Sequence, residues 1–313
     1  MRKTGRIEAT IAGNNGASSP TTGASPRGDA ALRRSVDGVG TAPGWQRPVR
    51  SWASPDRGGR LPDVAPTLHP YLDLPTPHAI AHRGGASEAP ENTIAAFRKA
   101  LSAGYPFLET DTHATADGVL VAFHDDRLDR VTDREGTIAE LPYAEVAKAR
   151  VGDQPIPRLE ELLEEFPGHR FNIDPKSDAA ASHLSAVLRR TKALPRVCVA
   201  SFSSERLIRL RRDLGDKACT AATPREIAQW RAGRVGRGFD VLQVPTSHRN
   251  VELVTRRSVA RAHRTNVLVH VWTIDEPAEI ERLLDLGVDG IITDSLENLG
   301  GVLKRRDQWH PVT

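Results

Sequence analysis

An alternation that begins at residue 78 constrains this chain more than any other feature. Short apolar runs (His78–His82, Phe107–Ala114, Val119–His124, Arg170–Asp174, Val197–Phe202, Ala218–Ala222, Val241–Val244, Val267–Ile274 and Gly290–Thr293) read as strands. Stretches of helical periodicity at 93–103, 157–166, 178–192, 204–214, 224–231, 251–265, 276–286 and 295–305 lie between most of them. Asn92 suits the N-cap of the first helix and Gly104 the residue that ends it. Such alternation predicts a parallel sheet covered by helices. One gap breaks the rule. Only Thr115-Ala116-Asp117-Gly118 separates the second and third runs, and a parallel crossover needs about a dozen residues. Asp-Gly between alternating runs signals a hairpin, so Val119–His124 folds back outside the main count. Eight βα units then remain in roughly 230 residues, which fits a closed (β/α)₈ TIM barrel, typically of about 250. A doubly wound open sheet is the other option, but no GxGxxG follows the first strand.

The chain before the alternation has a different character. Residues 1–76 are rich in Gly, Ala, Ser, Pro and Arg, and carry ten Lys and Arg against six Asp and Glu. They read as a disordered, low-complexity N-terminal segment that cannot bury enough apolar surface to offset its ordering entropy. Its arginines are scattered, which favours a solvated tail over a basic tether to lipid or nucleic acid. Residues 77–313 read as the barrel. The tail carries +4 and the remainder −1, against an overall charge of +3, so the barrel is nearly neutral and no nucleic-acid partner is expected. Cys198 and Cys219 lie in apolar stretches and read as buried free thiols. Together with the lack of a signal h-region after the basic start, they point to a reducing cytoplasm. No run approaches a membrane span, so stable membrane insertion is not expected.

Polar residues gather where such a barrel keeps its chemistry, at the C-terminal ends of the strands. His82 and Arg83 end the first strand. Glu109 and Asp111 lie toward the end of the second, and their spacing of two puts both side chains on one face. Two close carboxylates repel unless one is protonated or a cation lies between them. Oxygen ligands suit a hard ion such as Ca²⁺ or Mg²⁺, and Asp174 on a neighbouring strand can complete the set. His113 shares that face without an evident role. His82 and His124 are candidates for acid–base work near neutral pH. Arg83 and Lys176 can neutralise phosphate oxygens. A clamp, a base and an acid are what hydrolysis of a phosphodiester requires.

These residues resemble a known family. His82-Arg83-Gly84-Gly85, Pro90-Glu91-Asn92-Thr93, Glu109-Thr110-Asp111, Thr115-Ala116-Asp117-Gly118, His124-Asp125, Trp272-Thr273-Ile274-Asp275 and Gly290-Ile-Ile-Thr-Asp294 follow, in order, the pattern of the glycerophosphodiester phosphodiesterases. The resemblance spans residues 78–300 and implies a (β/α)₈ barrel, one divalent cation, and cleavage of glycerophosphodiesters to glycerol 3-phosphate and an alcohol. It implies that Glu109 and Asp111 are metal ligands, that His82 and His124 are acid and base, and that Arg83 and Lys176 contact phosphate. Where the family commonly has Glu as third ligand, this chain has Asp174, one methylene shorter. The resemblance also implies attack on phosphorus by the glycerol 2-hydroxyl, through a cyclic intermediate, or directly by water. His124 is taken as base and His82 as acid. The segment 126–157 is short for the family's substrate-covering insertion, which implies an open site for small, water-soluble diesters.

Further residues have two readings each. Trp272 either contacts the glycerol or headgroup or fills the barrel mouth. Glu91 either orients Arg83 or favours a helix N-terminus. Phe202 either lines the pocket or packs, the commoner role of an apolar residue at a strand end, and Asp294 reads as a tie between the last strand and its loop. Three functional classes follow. The first is the glycerophosphodiesterase. The second is a lipid-directed relative, a lysophospholipase D or sphingomyelinase D-like enzyme, which should expose an apolar rim. The third is a non-catalytic barrel that binds phosphorylated ligands, which should have lost a histidine or a metal ligand. The oligomeric state is not legible.

Overall fold

The computed structural model describes residues 68–234, 238–249 and 251–311. The expectation for residues 1–67 lies outside them. Nine main strands are present: β1 (His78–Ala81), β2 (Phe107–Ala114), β3 (Leu120–Ala122), β4 (Arg170–Pro175), β5 (Val197–Val199), β6 (Cys219–Thr220), β7 (Val241–Val244), β8 (Leu268–Val271) and β9 (Gly290–Thr293). All but β3 pair in parallel, in the order β6-β5-β4-β2-β1-β9-β8-β7. A single parallel bridge, Ala221 to Val241, joins the two ends of this series. The result is a TIM barrel, nearly closed, with its weakest seam between β6 and β7.

The hairpin is where the short gap placed it. β3 pairs antiparallel with β2, Thr112 opposite Ala122 and Ala114 opposite Leu120. Eight helices connect or flank the barrel strands: α1 (Ile94–Ser102), α2 (Leu159–Glu165), α3 (Asp178–Arg190), α4 (Ser204–Leu214), α5 (Pro224–Arg231), α6 (Arg256–His263), α7 (Pro277–Leu286) and α8 (Leu296–Arg305). Several strands and helices are a few residues shorter than the sequence predicts, and two of the differences have a local cause. The cap of α1 is Thr93, whose hydroxyl accepts from the Ala96 amide. Asn92 instead has φ of 58° and accepts a hydrogen bond from Thr110. α6 begins at Arg256 and not at 251, because Val251–Glu252 pairs with Ser247–His248 as a small antiparallel ladder.

Period-two alternation divides the strand residues between two cores. Ala79, Ala81, Leu108, Ile173, Val269, Val271 and Ile291 join the large core between sheet and helices. Ile80, Phe107, Cys198, Cys219, Val241, Leu268 and Ile292 form a second cluster with Tyr71 and Leu72. Both cysteines are free and buried. The chain from Leu68 thus packs under the barrel before β1 begins. On the same floor, His78 Nδ1 lies 3.1 Å from His270 Nε2, and His78 Nε2 donates to the Leu74 carbonyl at 3.2 Å. Above the hydrophobic layer, the buried amides of Asn172 and Gln243 exchange two hydrogen bonds, of 3.0 and 3.3 Å. No helix among the described residues is long and apolar enough to cross a membrane.

Candidate active site

The rim above this polar layer holds every candidate residue that the sequence named. His82 opens a 3-10 turn directly after β1. The turn needs unusual backbone. Arg83, Gly84 and Gly85 all have positive φ, of 50°, 85° and 93°. Only glycine fits the last position comfortably, since a Cβ on Gly85 would lie 2.6 Å from Leu296 Cγ. The twist aims the Arg83 amide at Glu109, whose Oε2 accepts it at 3.0 Å.

Register brings the carboxylates together. On the paired strands β2 and β4, Asp111 lies opposite Asp174 and Glu109 opposite Asn172. All three carboxylates are buried. Lys176 Nζ sits 2.6 Å from Asp111 Oδ1 and 2.9 Å from Asp174 Oδ2. Arg83 Nε lies 3.1 Å from Asp111 Oδ2. Burial and the neighbouring Asp111 push the Glu109 carboxyl up to about 7. Burial also acts to raise Asp111, but Lys176 and Arg83 outweigh it and hold that group below the usual range. Asp174 is raised, because its burial outweighs the attraction of Lys176.

The two histidines are each held by a carboxylate. His82 Nδ1 donates to Asp294 Oδ1 at 2.7 Å, and its Nε2 lies 3.7 Å from Glu109 Oε2. Burial lowers the His82 pKa, yet Glu109 and Asp294 more than offset this and raise it overall. His124 follows β3, and its Nδ1 donates to Asp125 Oδ1 at 2.5 Å. His113 Nε2 donates to the His124 carbonyl at 3.0 Å and so fixes the backbone there. Arg130 joins the two sides. It bonds Asp125, and its Nη2 donates to Glu91 Oε1 at 2.7 Å. Glu91 also accepts from Arg83 Nη1 at 3.1 Å. Glu91 therefore does orient Arg83.

Among the described residues, no three His, Cys, Asp or Glu side chains form a set that could hold a metal ion as they stand. The ammonium of Lys176 lies between two of the expected ligands. The chemistry of the set nevertheless fits a hard cation. Asp174 Oδ1 is buried without a hydrogen-bond partner, and Asp111 Oδ2 has only the Arg83 ion pair, without hydrogen-bond geometry; a buried oxygen such as the first calls for a donor or an ion. The rim lines a cavity of about 200 Å³ that includes His82, Asp111, His124, Lys176 and Trp272. Beside it lies a second cavity of about 340 Å³.

Residues 82–298 match the family model described as the glycerophosphoryl diester phosphodiesterase family. The chain belongs to that family. It is 37% identical over 243 residues to "Probable glycerophosphodiester phosphodiesterase 2" of Mycobacterium tuberculosis, a span covering 74% of this chain and 92% of that relative. It is 29% identical to the glycerophosphodiester phosphodiesterase of Caldanaerobacter subterraneus, over 72% of this chain and 97% of the relative. The crystal structure of a glycerophosphodiester phosphodiesterase from Parabacteroides distasonis aligns with a TM-score of 0.63 at 25% identity, over 75% of this chain and 99% of that one. An Oleispira antarctica phosphodiesterase, solved with the product sn-glycerol-3-phosphate, aligns with the same TM-score at 23% identity, over 73% and 97%. The last likeness speaks for the fold alone.

Within this phosphodiesterase family member, Asp294 has a contact that the sequence did not suggest, and Phe202 takes the pocket-lining alternative. Asp294 is the partner of His82 and not the loop tie; that task falls to Asp275, whose Oδ1 accepts from Thr293 Oγ1 and from the Asp294 amide at 2.8 and 2.7 Å. Phe202 is not packed away. It is 67% exposed and stands edge-on to Trp272, with ring centroids 5.5 Å apart.

Proposed function

We propose that this protein hydrolyses glycerophosphodiesters to sn-glycerol 3-phosphate and an alcohol, with a divalent cation, Ca²⁺ or Mg²⁺. The observation that carries the reading is the pair of carboxylate-held histidines, His82–Asp294 and His124–Asp125, on either side of one cluster of buried carboxylates and cations. The names of the relatives support the substrate class.

Glu109, Asp111 and Asp174 would hold the cation, which would supply Lewis-acid neutralisation of charge on the phosphoryl oxygens. Arg83 and Lys176 bind the phosphate as fixed positive charges. His124 takes the proton of the attacking hydroxyl, whether from the substrate's glycerol or from water. Asp125 holds the ring so that Nε2 is the free, basic nitrogen. His82 supplies a proton to the leaving alkoxide, and the carboxylates of Glu109 and Asp294 beside it favour its charged form. Neither histidine and none of the three acidic ligands is missing, which disfavours a non-catalytic barrel.

The test is turnover of glycerophosphocholine and glycerophosphoethanolamine by the purified full chain, with and without EDTA, beside His82→Ala and His124→Ala. The expected outcome is loss of activity in EDTA, recovery with Ca²⁺ or Mg²⁺, and a fall of about 10²–10⁴-fold in kcat for each variant. Turnover that ignores the chelator, or that survives both substitutions, overturns the proposal.

A further inference from the structure

We infer that Arg130 is a positioning residue that locks the general base and the phosphate clamp into one frame. The inference deepens the phosphodiesterase reading and rests on it. It also gives a task to the segment 126–157, which is short for a cover over the substrate.

That segment has a small core of its own. Leu128, Ile138, Val146 and Val151 pack with Val121 and Phe123 of the hairpin. Backbone bonds fix the turn above this core. The Leu128 amide donates to the Gly136 carbonyl at 2.9 Å, and the Thr132 amide to the Leu128 carbonyl at 3.2 Å. The Thr132 hydroxyl donates to the same carbonyl at 2.8 Å. Arg130 stands in that turn, so its Cα is held by packing and by local bonds. Its side chain meets two carboxylates. Nε donates to Asp125 Oδ2, Nη2 to Glu91 Oε1 at 2.7 Å, and Nη1 to Glu91 Oε2 at 3.1 Å.

Each carboxylate has a second duty. Asp125 turns its other oxygen to His124 Nδ1, and Glu91 accepts from Arg83 Nη1. The result is a continuous chain, His124–Asp125–Arg130–Glu91–Arg83. Its two ends line the catalytic cavity, whereas Asp125, Arg130 and Glu91 do not. Arg130 therefore acts through its neighbours. Exposed ion pairs usually contribute little to stability. Here, however, the Glu91 and Asp125 side chains are only 13% and 23% exposed. The fork on Glu91 is bidentate, which fixes direction as well as distance. Burial acts to raise the Asp125 pKa, but Arg130 and His124 outweigh it and hold that carboxylate below its usual range. Fixing Asp125 fixes the His124 ring, and fixing Glu91 fixes the Arg83 guanidinium. Base and clamp then keep one relative placement, which is what orientation contributes to rate. A lysine ammonium is a point charge and cannot reproduce the fork.

The test uses the full chain with Ca²⁺ or Mg²⁺ supplied. Kinetic constants for glycerophosphocholine, and the Kd of glycerol 3-phosphate by calorimetry, are compared for the parent, Arg130→Gln, Arg130→Lys, Glu91→Gln and the Glu91→Gln, Arg130→Gln double variant. Arg130→Gln should lower kcat by about 10–100-fold, the scale of a group misplaced by about an ångström. It should weaken glycerol 3-phosphate by about tenfold, within the coupling range of one ion-pair network. Arg130→Lys should recover part of kcat. In the Glu91→Gln background, Arg130→Gln should no longer weaken glycerol 3-phosphate but should still lower kcat, because Asp125 still loses its partner. The Arg130 side chain is 48% exposed, so urea midpoints should match the parent's. Constants unchanged in Arg130→Gln, or a weakening of the same size with and without Glu91, overturn the inference. So does a loss of activity that merely follows a lowered urea midpoint in both single variants of Arg130. A parent that turns over no glycerophosphodiester overturns the phosphodiesterase reading instead, and the glycerol 3-phosphate titrations still report the hold of Arg130 on Arg83.

Discussion

At the scale of single residues, the site is a set of groups whose protonation is fixed by neighbours on other strands. Asp294 is the clearest case. It does not line the polar cavity, yet it holds His82 by Nδ1 and thereby leaves Nε2 toward the site. Asp294→Asn should lower kcat by about 10²–10⁴-fold, the range associated with acid–base catalysis, with KM changed little. A parallel rise in KM would show that Asp294 shapes binding and does not position the acid. The residue was nearly legible from the sequence. In a closed barrel the last strand lies beside the first, and here Ala81 is paired with Thr293. The residues that follow each, His82 and Asp294, must then be neighbours. Without that register, Asp275 and Asp294 are two acids after two strands, and nothing in either decapeptide assigns the loop tie to one and the histidine to the other. Lys176 was legible as a cation but not as the counter-ion of Asp111 and Asp174, because its pairing depends on side-chain reach across β2 and β4.

Elements were read more securely than residues, because apolar periodicity survives without knowledge of partners. The limits of β2, β7, β9, α4 and α5 coincide with those predicted. Errors arose where a side chain has a choice of local partner. Asn92 and Thr93 can each cap a helix; the left-handed backbone at Asn92 removes it from that position. The 251–265 stretch is helical in periodicity, but its first residues are claimed by a ladder. The turn after β1 makes the elements interdependent. Gly85→Ala would force a Cβ into Leu296 at the start of α8 and require a backbone angle that an L-residue rarely adopts. The expected cost is about 1–3 kcal/mol, seen as a lower urea midpoint. An unchanged midpoint would mean that α8 yields at no cost.

Across the whole molecule, the barrel has a polar mouth, an apolar waist and a floor containing two buried histidines. Burial lowers the pKa of His78 to about 4, and burial followed by the nearness of His78 lowers His270 as well. The unfolded chain, with histidines near 6.5, binds protons that the folded chain refuses. Stability is therefore fully present above that value and is lost as pH falls toward about 4, by about 3 kcal/mol for His78 alone. Urea midpoints at pH 7 and pH 5 should differ accordingly, and His78→Gln should reduce the difference; equal midpoints in the parent protein would refute the account. The seam between β6 and β7 has a consequence of another kind. Its links are the Ala221–Val241 bridge and bonds such as Ala222 to the Val241 carbonyl and Asp240 to the Thr220 carbonyl, both 2.9 Å. In hydrogen–deuterium exchange, the amides of Ala222 and Asp240 should be the first of the barrel wall to take up label. The wall that breathes there also borders the second cavity, through Ala221 and Ala222, so the barrel opens most readily where that cavity is walled.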